Sequence, residues 1–273
     1  MSQLKISLPS LTSPVFFGVF IWGAYSLYAL NAPGFGRTFE QYLAIVSTCF
    51  ILDTLFFYLR SGELRLTLSG FISGFALFFL VDTAYIEICI LVAAITMLTK
   101  HLFTYRERHI FNPTNLALLI VCYGFSDIAT FHTIRWGGEL LWSITFIVLG
   151  ALITIYANRW VVALTYAASF ALFAYIKSII FPAPFDFLIL PLMGPALQLF
   201  TFFMITDPQT SPSKKSHQFV FAVAVAALDS VLRFMQNRYA PLLSLSIICL
   251  AFTLYEVYKN SKNETLFTRI KTV

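Results

Sequence analysis

The segment Asn112-Pro113-Thr114-Asn115 places the residue types of a helix start directly after a basic stretch. Proline suits the first turn of a helix, and an asparagine before it can cap the free backbone N–H groups. A helix that begins here presents a partial positive charge, which attracts an anion such as a phosphate. Arg108 adds to that attraction. The pattern predicts either an anion site at Arg108, Asn112 and Asn115, or only a capped helix beside an ordinary basic loop.

A second polar segment, Thr206-Asp207-Pro208, ends an apolar run over residues 187–205 that contains prolines and a glycine. Proline interrupts a helix because it lacks an amide N–H and clashes with the preceding turn. We therefore predict a broken helix here. Hydroxyl and carboxylate groups follow the break, and a turn capped by Asp207 is sufficient to explain them.

Asp53 and Asp229 are carboxylates inside apolar runs. A charged group there is costly and usually faces a cavity or a partner, so each aspartate is a candidate for binding a cation or relaying a proton. Arg233 follows Asp229 at the spacing that places both on one helix face. A structural ion pair is therefore favoured for Asp229, whereas both interpretations stay open for Asp53.

The cysteines and histidines indicate no metal centre. The four cysteines lie singly in apolar runs without a C-x-x-C pair, and the four histidines lack the spacing of zinc ligands. We therefore predict no metal site and no disulfide framework. We also assign no catalytic residue.

The elements that position these groups are expected to be membrane helices. Hydrophobic residues make up 59% and charged residues 11% of the chain, and the mean hydropathy is +0.80, against roughly 45–50% apolar and 25% charged in soluble domains. Apolar runs fill nearly all of the sequence, so residues 1–273 are expected to form one membrane domain. The net charge of +5 is spread over short loops, which predicts contact with the lipid bilayer and not with nucleic acid.

The apolar runs predict an all-α, polytopic membrane protein with about ten transmembrane helices. With a cytoplasmic N-terminus, 13 of the 18 Lys and Arg residues fall on the inner side, as the positive-inside rule requires, so both termini are expected to be cytoplasmic. Two five-helix halves, residues 14–134 and 137–258, would be inverted because five is odd, and a polar tail covers 259–273. The short run after Asn112 is expected to be a discontinuous helix that crosses fully or re-enters.

Two of these motifs together resemble a known family. Phe-Asn-Pro at residues 111–113, after a basic loop, and Met-Ile-Thr-Asp-Pro at residues 204–208 are similar to sequences of a family of membrane subunits. That family is found in the sodium-translocating NADH:quinone reductase and in the Rnf electron-transport complex. The resemblance implies a fold like that of urea transporters, with broken helices in two inverted halves. It also implies a bound flavin, redox partner proteins and a location in the bacterial inner membrane.

Electron-transfer members of that family attach FMN to a threonine in a Ser-Gly-Ala-Thr type of sequence. Residues 126–130 here read Ser-Asp-Ile-Ala-Thr, without the glycine, so FMN or riboflavin is expected to bind non-covalently. The leading hypothesis is an electron-transport subunit of the Rnf type that holds a flavin between two broken helices. Its candidate contacts are Arg108, Asn112, Asn115, Thr130, Thr206 and Asp207. The alternative is a permease or channel, on the same fold, for a small polar solute or free flavin.

Overall fold

The computed structural model describes residues 14–31, 35–131 and 140–270, most of which are helical. Predictions for residues 1–13 and 132–139, including the end of the first half at residue 134, lie outside this range. The helices are α1 Pro14–Ala29, α2 Phe39–Ser61, α3 Leu68–Leu80, α4 Ile86–Leu102, α5 Pro113–Gly124, α6 Leu140–Tyr156, α7 Trp160–Ile180, α8 Phe185–Met193, α9 Pro195–Leu199, α10 Lys215–Phe234 and α11 Ala240–Ile270, with a π-helical turn, Phe200–Met204, after α9.

Four helices are long and apolar enough to cross a bilayer: α2, α7, α10 and the Ala240–Ser261 part of α11. α8, α9 and the π turn form a fifth such segment, which bends by 61° at its break. The predicted proline-broken helix is thereby confirmed, and the chain is a multi-pass membrane protein. α11 continues to Ile270, so residues 259–270 of the predicted polar tail are helical.

Among the helices shorter than a span, α3 and α5 are each followed by an extended strand. α3 has 13 residues, about 20 Å at 1.5 Å per residue, and β1, Val81–Thr83, continues it directly. α5 has 12 residues, and β4, Ala129–Phe131, follows after a turn. β1 and β4 pair antiparallel, so the backbone groups on their facing edges are satisfied without a helix. The run after Asn112 is therefore a short helix and then a strand.

A second ribbon, β2 (Thr104–Tyr105) with β3 (Arg108–His109), turns the chain between α4 and α5. The turn residues Arg106 and Glu107 have φ values of 49° and 65°, the left-handed values that a two-residue hairpin requires. This tight turn brings the basic end of α4 and the capped start of α5 to the same side of the protein. Both ribbons depart from the all-α expectation, since strands of two or three residues leave no periodic pattern in a sequence.

Helix packing follows the same order in both parts of the chain. α2 contacts α3 and α4, and α4 contacts α5; likewise α7 contacts α8 and α10, and α10 contacts α11. α1 packs on α3, and α6 packs on α9 and the π turn. The α2–α3 contact is close, because a Cβ on Gly70 would lie 3.0 Å from the Cys49 carbonyl oxygen. The small residues of α3 therefore permit a close approach of the two helices.

Gly150→Ala tests the contact between α6 and the π turn. A Cβ at residue 150 would lie 2.5 Å from Cβ and Cγ of Phe202. We expect the substitution to lower stability by about 1–3 kcal/mol, the usual cost of overpacking, read as a fall in the apparent Tm in detergent. Gly18→Ala is the control, because nothing lies within 4 Å of its added Cβ. Equal Tm values for the two variants would contradict the close contact.

Candidate functional site

A cavity of about 350 Å³ lies between the two interrupted segments. One part of its wall comes from the start of α5, residues 112–114, and another from residues between 199 and 209, around the π turn. α1, α3, α4 and α6 complete the wall, with Trp22, Ile72 and Ile153 among the apolar residues. The two segments that the sequence predicts to be functional thus line one cavity.

Asn112 joins these two segments. Its Oδ1 accepts a hydrogen bond from the Asn115 backbone N–H at 3.0 Å, so the predicted helix cap is confirmed. Its Nδ2 donates to Oδ2 of Asp207 at 3.2 Å and to the Met204 carbonyl at 3.4 Å. A single buried amide therefore satisfies the start of α5 and the end of the broken helix together.

Asp207 and Thr206 follow the π turn and line the cavity. Asp207 Oδ1 accepts from the Gln209 backbone N–H at 2.9 Å. Burial raises the pKa of Asp207, while the Gln209 N–H, the Lys100 charge and the Asn112 amide act in the opposite direction. The Thr206 hydroxyl donates to the Phe202 carbonyl, which leaves its oxygen able to accept. This part of the wall offers acceptors to an N–H or O–H group of a ligand.

Another part of the wall carries a cation that the sequence did not identify as a site residue. Lys100 Nζ lies 2.9 Å from Asp53 Oδ2 and donates to Ser69 Oγ at 2.9 Å, and both Lys100 and Ser69 line the cavity. The Ser69 hydroxyl donates to Asp53 at 2.8 Å, and His101 Nε2 lies 2.7 Å from Asp53 Oδ1. Asp53 itself is 1% exposed. Its buried charge is therefore compensated by three partners, and two of them, Lys100 and Ser69, line the cavity.

His109 lines both this cavity and a smaller cleft beside Arg108 and Glu256. Its Nδ1 is buried and has no hydrogen-bond partner among the described residues. Burial, and then the charge of Lys100, lowers the pKa of His109 to about 4. The ring is therefore neutral near pH 7, and its unpaired nitrogen suits a hydrogen-bond donor.

Three of the predicted ligand contacts do not line the cavity. Arg108 donates to the Ser211 carbonyl at 2.6 Å. Asn115 donates at 2.9 Å to two groups on α11. Thr130 lies in β4, across the ribbon from Asp82. In these positions Arg108 and Asn115 connect helices and loops, and a role for any of the three in ligand binding stays a prediction.

Asp229 on α10 forms the ion pair that its spacing favours. Arg233 Nε lies 3.0 Å from Asp229 Oδ1, and the Tyr166 hydroxyl on α7 donates to Asp229 at 2.9 Å. Asp229 is buried and does not line the cavity. These contacts fasten α7 to α10, in agreement with the structural interpretation.

Together the cavity groups place donors and acceptors around an apolar interior, with one lysine charge. Such a site can hold a flat molecule that has a polar edge. No three His, Cys, Asp or Glu side chains converge as metal ligands within the described ranges, and the four cysteines are buried free thiols. In the sequence, Lys100 is only one of several basic residues after an apolar run, and no pattern there identifies Asp53 as its partner.

Comparison with known proteins identifies a relationship. A search of curated proteins finds no match to the chain. Residues 128–254 match the family model described as the NQR2, RnfD, RnfE family. The matched stretch includes Thr206 and Asp207 and begins after Asn112. The match supports the resemblance to the NQR2, RnfD, RnfE family over residues 128–254, just under half of the chain.

Proposed function

We propose that this protein is a membrane electron-transport subunit that binds a flavin ring, without a covalent bond, in the cavity between its two interrupted segments. One observation carries the proposal. Asn112 and Asp207, which belong to the two family-like motifs, contact each other and line the same cavity. Residues that lie far apart in the sequence thus meet at one place that can receive a ligand.

The size and lining of the cavity suit a ring system. Small-ligand pockets occupy roughly 300–1,000 Å³, and the volume here is about 350 Å³. Trp22, Phe202 and Phe203 line it, and the Trp22 and Phe203 ring centroids are 4.8 Å apart. Aromatic side chains of this kind contact the faces of a flat ligand well.

The polar groups match the edge of a flavin ring, which has an N–H between two carbonyls. Asp207 is an acceptor for that N–H. Lys100 is a donor for a carbonyl oxygen, and the unpaired His109 Nδ1 is a further acceptor. A buried donor or acceptor that stays unpaired costs about 1–3 kcal/mol. A ligand that pairs with such a group therefore binds more tightly.

The charges favour a neutral ring over a phosphate inside the cavity. Lys100 is already paired with Asp53, and Asp207 contributes a second carboxyl group. A phosphate placed here would be repelled by both carboxylates. The proposed ligand is therefore riboflavin, or FMN with its phosphate outside the cavity. Attachment at Thr130 has no support in its surroundings, because Asp82 faces it across the ribbon.

A bound flavin supplies reversible electron transfer, and the similarity of residues 128–254 to the NQR2, RnfD, RnfE family supports a role beside redox partner proteins in a larger membrane complex. The residues of this chain would hold the ring and exclude water from it. A positive charge, here that of Lys100, stabilises negative charge that develops nearby in a site of low dielectric constant.

The proposal extends to the topology. We place ten spans in two inverted halves with a urea-transporter-like fold, in a bacterial inner membrane with both termini in the cytoplasm. The repeated contact order, α2 with α4 and α4 with α5, followed by α7 with α10 and α10 with α11, supports this division. Counting α3 with β1, and α5 with β4, as spans supports the number ten.

Filling the cavity tests where the ligand binds. Ala76 lines the cavity on α3, so Ala76→Phe should exclude the ring and reduce bound flavin at least tenfold, measured by visible absorbance and by mass spectrometry of the released ligand. Ala24→Phe on α1 is the matched control, because Ala24 is exposed and does not line the cavity. Intact-protein mass spectrometry should show no flavin adduct on Thr130. Equal flavin in both variants, or no flavin in gently purified wild type, would refute the proposal.

The permease alternative is favoured by one observation. Ile72 lines the cavity and is 36% exposed, so a non-covalent ligand has a route by which to exchange. A permease would carry the ligand itself across the membrane, whereas an electron-transport subunit would retain the ligand and pass electrons through it.

Uptake into vesicles separates the two functions. We expect proteoliposomes with the wild type to accumulate no more labelled riboflavin than those with Ala76→Phe, because an electron-transport subunit retains its ring. Uptake that the wild type supports and Ala76→Phe abolishes would favour the permease. Protein-free liposomes give the background.

A further inference from the structure

The single positive charge of Lys100 lies beside both Asp53 and the cavity. Its ammonium group compensates Asp53 at 2.9 Å, and the same side chain lines the ligand cavity. Its charge also contributes to the lowered pKa of His109 and opposes the burial that raises the pKa of Asp207. A ligand that brings negative charge into the cavity therefore competes with Asp53 for this lysine.

His101 is the group that can replace Lys100 at Asp53. Its Nε2 lies 2.7 Å from Asp53 Oδ1, and its side chain is 18% exposed, whereas that of Asp53 is 2% exposed. The imidazole packs against the Phe56 ring, with centroids 5.3 Å apart. Histidine exchanges a proton near neutral pH, and this one contacts both the buried carboxylate and the protein surface.

We propose that Lys100 is a mobile counterion: when negative charge enters the cavity, the ammonium group shifts towards it from Asp53, and His101 binds one proton from solution in its place. The proposal rests on the cavity being the ligand site, as in the proposed function, but does not require the ligand to be a flavin. Negative charge in the cavity then couples to proton uptake on the side of the α4–α5 hairpin.

The proton and the charges balance in this exchange. His101 keeps its Nε2–H directed at Asp53 and binds the new proton at Nδ1, so an imidazolium–carboxylate pair replaces the ammonium–carboxylate pair. No covalent bond forms. While Lys100 is at Asp53, its positive charge opposes a second positive charge on His101; when it leaves, that repulsion falls and the carboxylate favours the imidazolium.

The other groups around Asp53 do not take the proton as readily. Ser69 donates its hydroxyl to Asp53 and does not titrate. The Cys49 thiol is neutral, and His109 is buried with a pKa lowered to about 4. Asp53 itself stays ionised beside an imidazolium. Among the described titratable groups of α2, α3, α4 and the hairpin, this leaves His101, which contacts Asp53 and has a side chain that is 18% exposed.

The first test needs no ligand. In protein with isotope-labelled histidine in lipid nanodiscs, Lys100→Met reproduces the departure of the ammonium group. We expect the proton affinity of His101 to rise about tenfold, the lower end of the effect of a charge within about 4–6 Å, as followed by NMR with His101→Gln giving the assignment. Lys215→Met is the matched control, because Lys215 lies over the Trp160 ring and away from Asp53. An unchanged His101 titration in Lys100→Met would overturn the proposal.

Lys100→Gln is measured alongside, because it removes the charge but retains hydrogen bonding to Asp53 and Ser69. It gives the same readout if the methionine variant fails to fold. The expected rise and the overturning result are the same as for Lys100→Met.

The second test adds charge to the cavity. Riboflavin-loaded protein is photoreduced in weak buffer with a pH-indicator dye, and we expect the wild type to bind about one more proton per ring than His101→Gln does. His217→Gln is the control, an exposed histidine on α10, and should behave as the wild type. Equal proton uptake in the wild type and His101→Gln would overturn the coupling. Failure of the wild type to bind riboflavin would count against the proposed flavin function, while the ligand-free test still decides the coupling.

Discussion

The hydrogen bond from Asn112 Nδ2 to Asp207 Oδ2, 3.2 Å long, joins the two places where this membrane protein interrupts its helices. Lipid provides no hydrogen bonds, so a broken helix is tolerated only where its free backbone groups are buried against protein or line a cavity. Asn112 meets this requirement at both ends, as the cap of α5 and as a donor to the Met204 carbonyl. The cavity exists because these two interruptions meet.

Two buried carboxylates, Asp229 and Asp53, both need a partner for their charge, but their partners lie in different places. Asp229 fastens α10 to α7 through Tyr166, and Asp53 connects α2 to α4 through Lys100. Both lie in pairs of helices that occupy matching places in the order of contacts. The partners of Asp229 are away from the cavity, whereas Lys100 lines it. Asp229 therefore connects two helices, whereas the counterion of Asp53 also lines the cavity.

The sequence predicts those features that depend on neighbours along the chain. The Asn112 cap, the proline break after α8 and the Asp229–Arg233 pair each arise within a few residues, and each is present. The Lys100–Asp53 pair spans 47 positions, and the α11 partners of Asn115 lie 127 and 131 positions away. No local pattern identifies such partners. The short strands could not be predicted either, because three residues are too few to show an alternation of apolar and polar side chains.

Charge compensation explains why Asp53 has both Lys100 and His101 as partners. Two unit charges at 4 Å interact by about 4 kcal/mol at an effective dielectric constant of 20, so an added negative charge near Asp207 and Asp53 would be strongly opposed without a cation that could approach it. If Lys100 stayed at Asp53, a negative charge in the cavity would have no cation beside it. If Lys100 stayed at the ligand, Asp53 would be buried without its charge partner. His101, at 2.7 Å from the same carboxylate, allows both carboxylate and ligand to be neutralised, at the cost of binding one proton. A buried pair with a third, surface-reaching member thus converts a change of charge in the cavity into a change of protonation at the edge of the protein.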